Sequence, residues 1–587
     1  MLPVMSTIIP YLLAGVSLAA LIRWRTKKAD KTFGSAGWLP VWSASAKGLF
    51  RNRGLIAGDW TGLLPVHYDG DGHILTIAPT GRGKGTCAII PNLLRHPFIF
   101  LCDPGGENAA IASKAWRAKG YEVQILNPWK LHSEAPWSLP SHEYNPLDIL
   151  DPDADTFSSD AALIAEMIVS RGPKDGGSAA FFKDEAQNAI RAFIMHIVTT
   201  EPAERRTLIT LRSFITADAN VWDAVVAAMA ENMAAGGLIA GEANQMIRRK
   251  EQAPEEFSAI VSTMKQDTNF LDDPVMKAAL ARSNADFSIL KGQKAGARIP
   301  GGVVAIVIPL QYLDTHAAYA RLAIAVALWE MQRAPLAREK VLFVLDEFPA
   351  MKRMDRIATG LATLRKFRVW LWPIIQDVNQ LKQIYSDQWQ SFLSNASFKQ
   401  WLAASDLETA KQISDLCGAG TVATETRSAD GKKSAGQARR PLITPDEVLI
   451  MPANRQIAMI ENLKPMVLLK TPYWERAELR GLFNPNPYRA GTPPLRWTAP
   501  LRSLWGSTFR VLGWVMRPAP TLIYAAALAG LLLAEPGAKV SAGWYEQGQS
   551  IVCQYQTPLA RKRIYFKWPG IRRADCPLIT WRGRYYE

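Results

Sequence analysis

Short, nearly continuous apolar runs recur along the chain, each ending in Gly, Pro, Asp or Gln: His73 to Ala78, Pro97 to Cys102, Tyr121 to Leu126, Val303 to Pro309, Val341 to Glu347 and Val369 to Ile375. Runs of this length, rich in Val, Ile and Phe, read as buried strands. Helical segments fall between them, and this βαβ rhythm predicts a parallel sheet covered on both faces. From about Pro152 to Leu290 the period changes. Leu163, Ile164, Met167 and Ile168 form one helical stripe, Ala186, Ile190, Ile194 and Ile197 another, and small residues and methionines dominate near Ala224 to Met246. The expected architecture is an α/β domain interrupted by an all-α insertion, with both stripes serving core packing.

Two further stretches depart from that rhythm. Thr421 to Arg440 is polar, contains Gly, Ser and Ala, and is basic at Lys432, Lys433, Arg439 and Arg440. It reads as a mobile loop. Leu2 to Ile22 is uncharged, mostly apolar and about one bilayer thick, and Arg23, Arg25, Lys27 and Lys28 follow it. A cleaved signal peptide carries its positive charge before the apolar stretch. The order seen here predicts an uncleaved membrane anchor with the downstream chain in the cytoplasm. A second candidate span, about 511–534, is broken by Arg517, Pro518 and Pro520, and its clean core runs from Thr521 to Ala534. If it crosses, Cys553 and Cys576 lie outside and can pair in an oxidising compartment. The basic residues Arg561, Lys562, Arg563, Arg572 and Arg573 argue for the cytoplasm instead.

A chain of 587 residues is too long for a single small binding module. Its 68 Lys and Arg against 53 Asp and Glu give a net charge of +15, which suits a polyanionic partner, either nucleic acid or an anionic membrane face. Cys87, Cys102 and Cys417 have no metal-ligand spacing and read as core thiols.

Candidate chemistry concentrates where the first strand ends. In ILTIAPTGRGKGT, Ile74 to Thr86, an apolar run breaks into a Gly-rich loop before an apolar helix. Gly81, Gly83 and Gly85 let backbone N–H groups turn toward an anion, the helix N-terminus adds partial positive charge, and Lys84 reaches the β and γ phosphates of a nucleoside triphosphate. Thr80, Arg82 and Thr86 complete the expected nucleotide-binding loop. The usual spacing places Gly where Ala78 stands and a Mg²⁺-ligating hydroxyl where Gly85 stands. Thr86, one residue late, is the substitute. The run VLFVLDE, Val341 to Glu347, has the form of a Walker B strand: Asp346 would hold Mg²⁺ and Glu347 would orient and polarise the attacking water. Gln376 ends the next strand, placed either to touch the γ-phosphate or its water, or simply to satisfy loop backbone. Asp103 and Glu107, after the second strand, read as helix-capping groups or as direct participants.

Taken in order, APTGRGKG, DPGGEN at Asp103, YNPLDIL at Tyr144, FFKDEAQN at Phe181, VLDEFP at Val344, IIQDVNQL at Ile374 and SDLETAKQI at Ser405 resemble the TraG/TraD-type coupling proteins of type IV secretion. The resemblance covers roughly Gly54 to Arg489. It implies a RecA-like P-loop ATPase domain with an inserted all-α domain and membrane-anchoring helices. It also implies ATP and Mg²⁺ as cofactors, a hexameric ring at the bacterial inner membrane, and a link between DNA-processing relaxase proteins and a secretion channel. Position by position, Lys84, the pair Asp346 and Glu347, and Gln376 match the family's nucleotide residues. Arg365 lies where relatives place an arginine that reaches the neighbouring subunit's nucleotide, and is preferred to Arg368. Gly105 stands where relatives often have lysine, and the family usually has two N-terminal spans where this chain shows one.

The implied organisation is a membrane anchor at 1–28, a nucleotide-binding domain in two parts at 29–151 and 291–490, an all-α domain at 152–290, and a C-terminal region at 491–587. The implied activity is ATP-driven movement of single-stranded DNA, bound without sequence preference, or of protein. A non-hydrolysing membrane receptor for secretion substrates, or a DNA translocase unconnected with secretion, are the alternatives. The scattered histidines, with no close pair beside a tyrosine, argue against relaxase chemistry itself.

Overall fold

The structure, a computed structural model, describes residues 32–489 except 63, 173–175 and 428–432, together with 491 and the strand segments 537–544, 550–556, 561–567 and 579–580. Both candidate spans, 2–22 and 511–534, lie outside the described residues, as does the Cys553–Cys576 pairing. Among the described residues no single helix is long and apolar enough to cross a membrane. Ala219–Glu231 and Ala235–Gln252 reach that length only as a pair, and they meet at 104°.

In chain order the strands of the main unit are β1 (Leu55–Asp59), β2 (Pro65–Tyr68), β3 (His73–Ile77), β4 (Phe98–Pro104), β5 (Glu122–Leu126), β6 (Gln293–Lys294), β7 (Ala297–Arg298), β8 (Gly302–Ile308), β9 (Val341–Leu345), β10 (Val369–Ile375), β11 (Ala396–Trp401), β12 (Ala419–Arg427), β13 (Lys433–Pro441), β14 (Arg455–Ile460) and β15 (Met466–Leu469). Eleven of them form one sheet in the order β2-β1-β15-β14-β11-β3-β10-β9-β4-β8-β5. From β11 to β5 every neighbouring pair is parallel. The expected all-parallel sheet is corrected at the other side, where β14, β15, β1 and β2 continue it antiparallel. These short strands carry no helical crossovers between them, and that connectivity permits antiparallel pairing.

Alternate residues of the parallel strands feed two separate cores, as a period of two requires. Leu75, Ile77, Phe100, Val304, Phe343 and Leu371 pack with the helical insert and with helix Ala317–Gln332. Ile74, Ile99, Leu101, Val303, Leu342 and Trp372 pack with helix Glu107–Ala118 and the antiparallel strands. Both faces being covered, β9 and β10 are buried along their whole length.

The insert between β5 and β8 is built of helices Phe157–Ile168, Ser178–Thr200, Leu208–Ile215, Ala219–Glu231, Leu238–Gln252, Pro254–Asp267 and Pro274–Ala279. Both sequence stripes are buried within it. Arg321 ties it to the sheet domain: Nε and Nη2 donate to the carbonyls of Met167 (2.8 Å) and Ile168 (3.0 Å), and Nη1 to that of Met351 (3.3 Å), just beyond β9.

The loop expected at 421–440 is instead a hairpin. β12 and β13 pair antiparallel from Ala419↔Pro441 to Arg427↔Lys433. Thr and Val alternate with small residues there, which suits a pleated ribbon as well as a loop. A second unit contains a four-stranded antiparallel sheet of Gly537–Trp544, Ser550–Gln556, Arg561–Lys567 and Ile579–Thr580.

Candidate nucleotide site

Four strands deliver the site to one edge. β3 ends in Ala78 and the Gly-rich loop, β4 in the turn from Asp103, β9 in Asp346 and Glu347, and β10 in Gln376. The carboxyl ends of parallel strands are where such sheets place ligands, because the loops there can vary without disturbing the packed sheet.

In the loop, Gly81 and Gly83 hold φ of 75° and 88°, conformations that a side chain rarely adopts. Thr80, Gly81 and Arg82 are exposed. The chain then enters wide helical turns, Lys84–Ile89, that continue as Ile90–Leu93. Lys84 is the electrostatic centre. Its Nζ lies 3.1 Å from Asp346 Oδ1 and is also hydrogen-bonded to Glu347 Oε1. Burial works against the ammonium charge, but the two carboxylates outweigh it and hold the Lys84 pKa above its usual value. Glu347 Oε2 accepts from Gln376 Nε2 at 3.1 Å. The Glu347 backbone is left-handed, φ 49° and ψ 41°, and its N–H donates to Asp346 Oδ1 at 3.0 Å. A non-glycine residue held there costs on the order of 1 kcal/mol or more, a strain that clusters at functional sites.

Behind this row lies a second, buried one. Asp103 Oδ2 accepts from the Ala109 N–H at 2.7 Å, so it caps helix Glu107–Ala118, one of its two expected roles. Asn108 Nδ2 donates to Asp103 Oδ1 at 2.8 Å and to Asp346 Oδ2 at 3.4 Å. Burial pushes Asp103 up to about 7 despite the Ala109 N–H, with the Asp346 charge adding to the rise. Burial likewise raises Asp346, against the pull of Lys84. Glu107 faces away from this row and accepts from Asn486 Nδ2 at 2.5 Å.

The structure thus brings Lys84, Asp346, Glu347 and Gln376 together. It places two predicted residues elsewhere. Thr86 Oγ1 lies 3.5 Å from the Gly83 carbonyl oxygen and 3.5 Å from Cys87 Sγ. Arg365 sits at the opposite end of β10, where Nη2 donates to Asn395 O at 3.2 Å and Ser397 Oγ at 3.1 Å. Sequence reasoning missed Asn108 and also Lys470, whose Nζ donates to the carbonyls of Arg82 (3.1 Å) and Leu402 (2.8 Å). The only sequence signal for Asn108 was its place in DPGGEN; Lys470 had none beyond being a lone cation after an apolar strand.

Among the described residues no group of three or more His, Cys, Asp or Glu side chains is arranged to hold an ion by itself. Mg²⁺ that arrives on phosphates needs only one or two protein oxygens, keeping waters for the rest. A buried Asp346 carboxylate beside the Lys84 ammonium fits that demand.

Fold and edge geometry together define an α/β protein with a mixed central sheet and a helical insert. The chain belongs to the type IV secretory system conjugative DNA transfer family, the coupling proteins of type IV secretion and conjugation, whose sequence profile matches residues 26–492. It is 25% identical over 445 residues to the type IV secretion system-coupling protein VirD4 of Bartonella quintana, covering 72% of this chain and 66% of that one. Against VirD4 of Agrobacterium fabrum it is 27% identical, covering 70% and 60%. Against the conjugal transfer protein TraG of Escherichia coli it is 25% identical, covering 78% of each. The matched part therefore spans less than two thirds of the two VirD4 relatives. The conjugative coupling protein TrwBΔN70 in its unbound form has the same fold, with a TM-score of 0.56 at 14% identity over 76% of this chain and 96% of that one. TrwB in complex with ADP and Mg²⁺ gives 0.53 at 14% identity, over 72% and 91%.

Proposed function

We propose that this chain is an ATP-hydrolysing coupling protein, anchored in the bacterial inner membrane and assembled as a homohexamer, that passes relaxase-bound single-stranded DNA or protein to a type IV secretion channel. One observation carries the reading: Lys84, the adjacent pair Asp346 and Glu347, and Gln376, from three separate segments of the chain, form a single charged cluster at the carboxyl edge of the sheet. That TrwB is described in complex with ADP and Mg²⁺, and with a non-hydrolysable ATP analogue, supports it.

ATP with Mg²⁺ supplies the phosphoanhydride and the charge that its cleavage develops. The chain's own groups do the rest. The backbone N–H groups from Thr80 to Thr86 receive the phosphates, and Lys84 divides its ammonium between them and the carboxylates. An incoming phosphate competes with Glu347 for that ammonium, freeing the carboxylate to orient a water and take its proton. Asp346 is the metal-facing carboxylate. Gln376 holds the second oxygen of Glu347 and so registers its movement at the start of helix Val378–Tyr385. Arg365, at the other edge, is assigned to the nucleotide of a neighbouring subunit. The net charge of +15 suits DNA gripped through its phosphates without reading bases.

The test is ATP hydrolysis by the full-length, detergent-solubilised protein, with and without single-stranded DNA. Hydrolysis stimulated by DNA is expected, and Lys84→Ala and Glu347→Gln should each lower it by at least about 10²-fold. An assembled sample that binds nucleotide and DNA yet does not hydrolyse would move the protein to the receptor class.

A further inference from the structure

The missing hydroxyl at Gly85 has a replacement in space. A methyl group built on Gly85 would come within 3.2 Å of Asn108 Oδ1, so the amide oxygen reaches into the volume that a serine or threonine side chain would fill. Asn108 is 4% exposed. Its amide orientation is set from behind: Nδ2 donates to Asp103 Oδ1 at 2.8 Å and to Asp346 Oδ2 at 3.4 Å, which leaves Oδ1 on the other side of the amide, toward the loop. Among the described residues no donor is hydrogen-bonded to Oδ1. An amide oxygen is a hard, neutral ligand of the kind that Mg²⁺ takes. It sits beside Asp346, the carboxylate on the metal side.

We propose that Asn108 replaces the P-loop hydroxyl, its Oδ1 supplying the oxygen that Gly85 lacks to nucleotide-bound Mg²⁺ or to one of its waters. Gly85 and Asn108 are then a matched pair. Glycine at 85 leaves room for the amide, and Asp103, itself buried, holds the amide in place. Thr86, turned toward the Gly83 carbonyl, takes no part in this arrangement. The inference rests on the nucleotide reading of the site.

The experiment separates the two. ADP affinity of the full-length protein is measured in EDTA, which reports the loop alone, and Mn²⁺ affinity of the ADP complex is then measured by electron paramagnetic resonance. Asn108→Ala should leave metal-free ADP affinity within about twofold and weaken Mn²⁺ by about tenfold or more. Adding Gly85→Ser to Asn108→Ala should restore Mn²⁺ affinity, because the hydroxyl now has both its customary position and the vacated space. Unchanged Mn²⁺ affinity in Asn108→Ala overturns the proposal, as does a double variant no better than the single one. Equal loss of metal-free and metal-dependent binding in both variants also overturns it, by making Asn108 a packing residue. A parent protein that binds no ADP in EDTA or with Mn²⁺ overturns the nucleotide reading as well.

Discussion

The two ends of the same parallel strands are chemically opposite. At the carboxyl edge the sheet buries acids: Asp103 and Asp346 are almost fully enclosed, and Glu347 is held in a strained backbone beside Lys84. At the amino edge it holds imidazoles beneath arginines, His73 buried and His96 half-buried. His73, at the start of β3, accepts from the Leu371 N–H at 3.1 Å, and His96, just before β4, donates to the Lys340 carbonyl at 2.8 Å. Burial depresses both to about 4. Above them a cavity of about 220 Å³ is lined by Asp71, Lys340, Arg365, Arg368, Val369 and Trp370. One body that is acid-bearing at one edge and arginine-bearing at the other is polar in the sense that a head-to-tail ring needs, because unlike edges meet at every interface.

The largest effect that can break this comparison concerns Arg365. If the two edges meet in the proposed ring, Arg365→Ala lowers hydrolysis by the assembled protein about 10³-fold, and Arg368→Ala changes it little. Mixing Arg365→Ala with Lys84→Ala subunits should then recover activity, since some interfaces combine an intact loop with an intact arginine. No recovery in mixed rings, measured by phosphate release, would mean that the edges do not serve one another.

A smaller effect tests the chemistry of the amino edge by itself. The folded pKa of His73 is depressed to about 4 from its ordinary value of 6.5, so folding favours the neutral ring. Its contribution is fully present above about pH 6.5 and is lost as pH falls toward 4. Such a shift corresponds to about 3 kcal/mol. Denaturant titrations between pH 7 and 4 should show His73→Asn losing about that much less stability than the parent, the amide oxygen still accepting from Leu371. Identical slopes would show that the imidazole is not held neutral.

The asymmetry between the edges was itself unevenly legible. Asp346, Glu347 and Gln376 could be read because they follow apolar strands directly, and Lys84 because it closes the Gly-rich loop after one; parallel strands carry such residues to a common edge. The βαβ order and the helical insert followed from periodicity. The antiparallel extension did not, because β14 and β15 are short and find their partners, β11 and β1, by tertiary pairing that no local pattern announces. The 421–440 segment departs from its expected loop for a related reason: its composition fits a loop, while the antiparallel pairing of β12 with β13 is decided by the partner strand. Asn108 and Gly85 belong to the first turns of different helices, after β4 and after β3, and their complementarity exists only once those strands stand on either side of β9 and β10.

The smallest effect sharpens what the antiparallel extension contributes to the acid-bearing edge. Lys470 follows β15, is 8% exposed, and spends two of its donors on the carbonyls of Arg82 and Leu402. Burial lowers its pKa, and no carboxylate pairs with it among the described residues. Fixing the Arg82 carbonyl from behind turns the peptide that follows so that its N–H is free for an anion. Lys470→Met keeps the length and removes the charge-assisted hydrogen bonds, a loss of about 1.5 kcal/mol or about tenfold in metal-free ADP affinity. Lys470→Arg should recover part of it, and Mn²⁺ affinity of the ADP complex should stay near the parent's, because the lysine acts on the loop and not on the metal. Parent-like ADP binding by Lys470→Met would leave the extension a passive flank, and the carboxyl edge would then owe its geometry to the parallel strands alone.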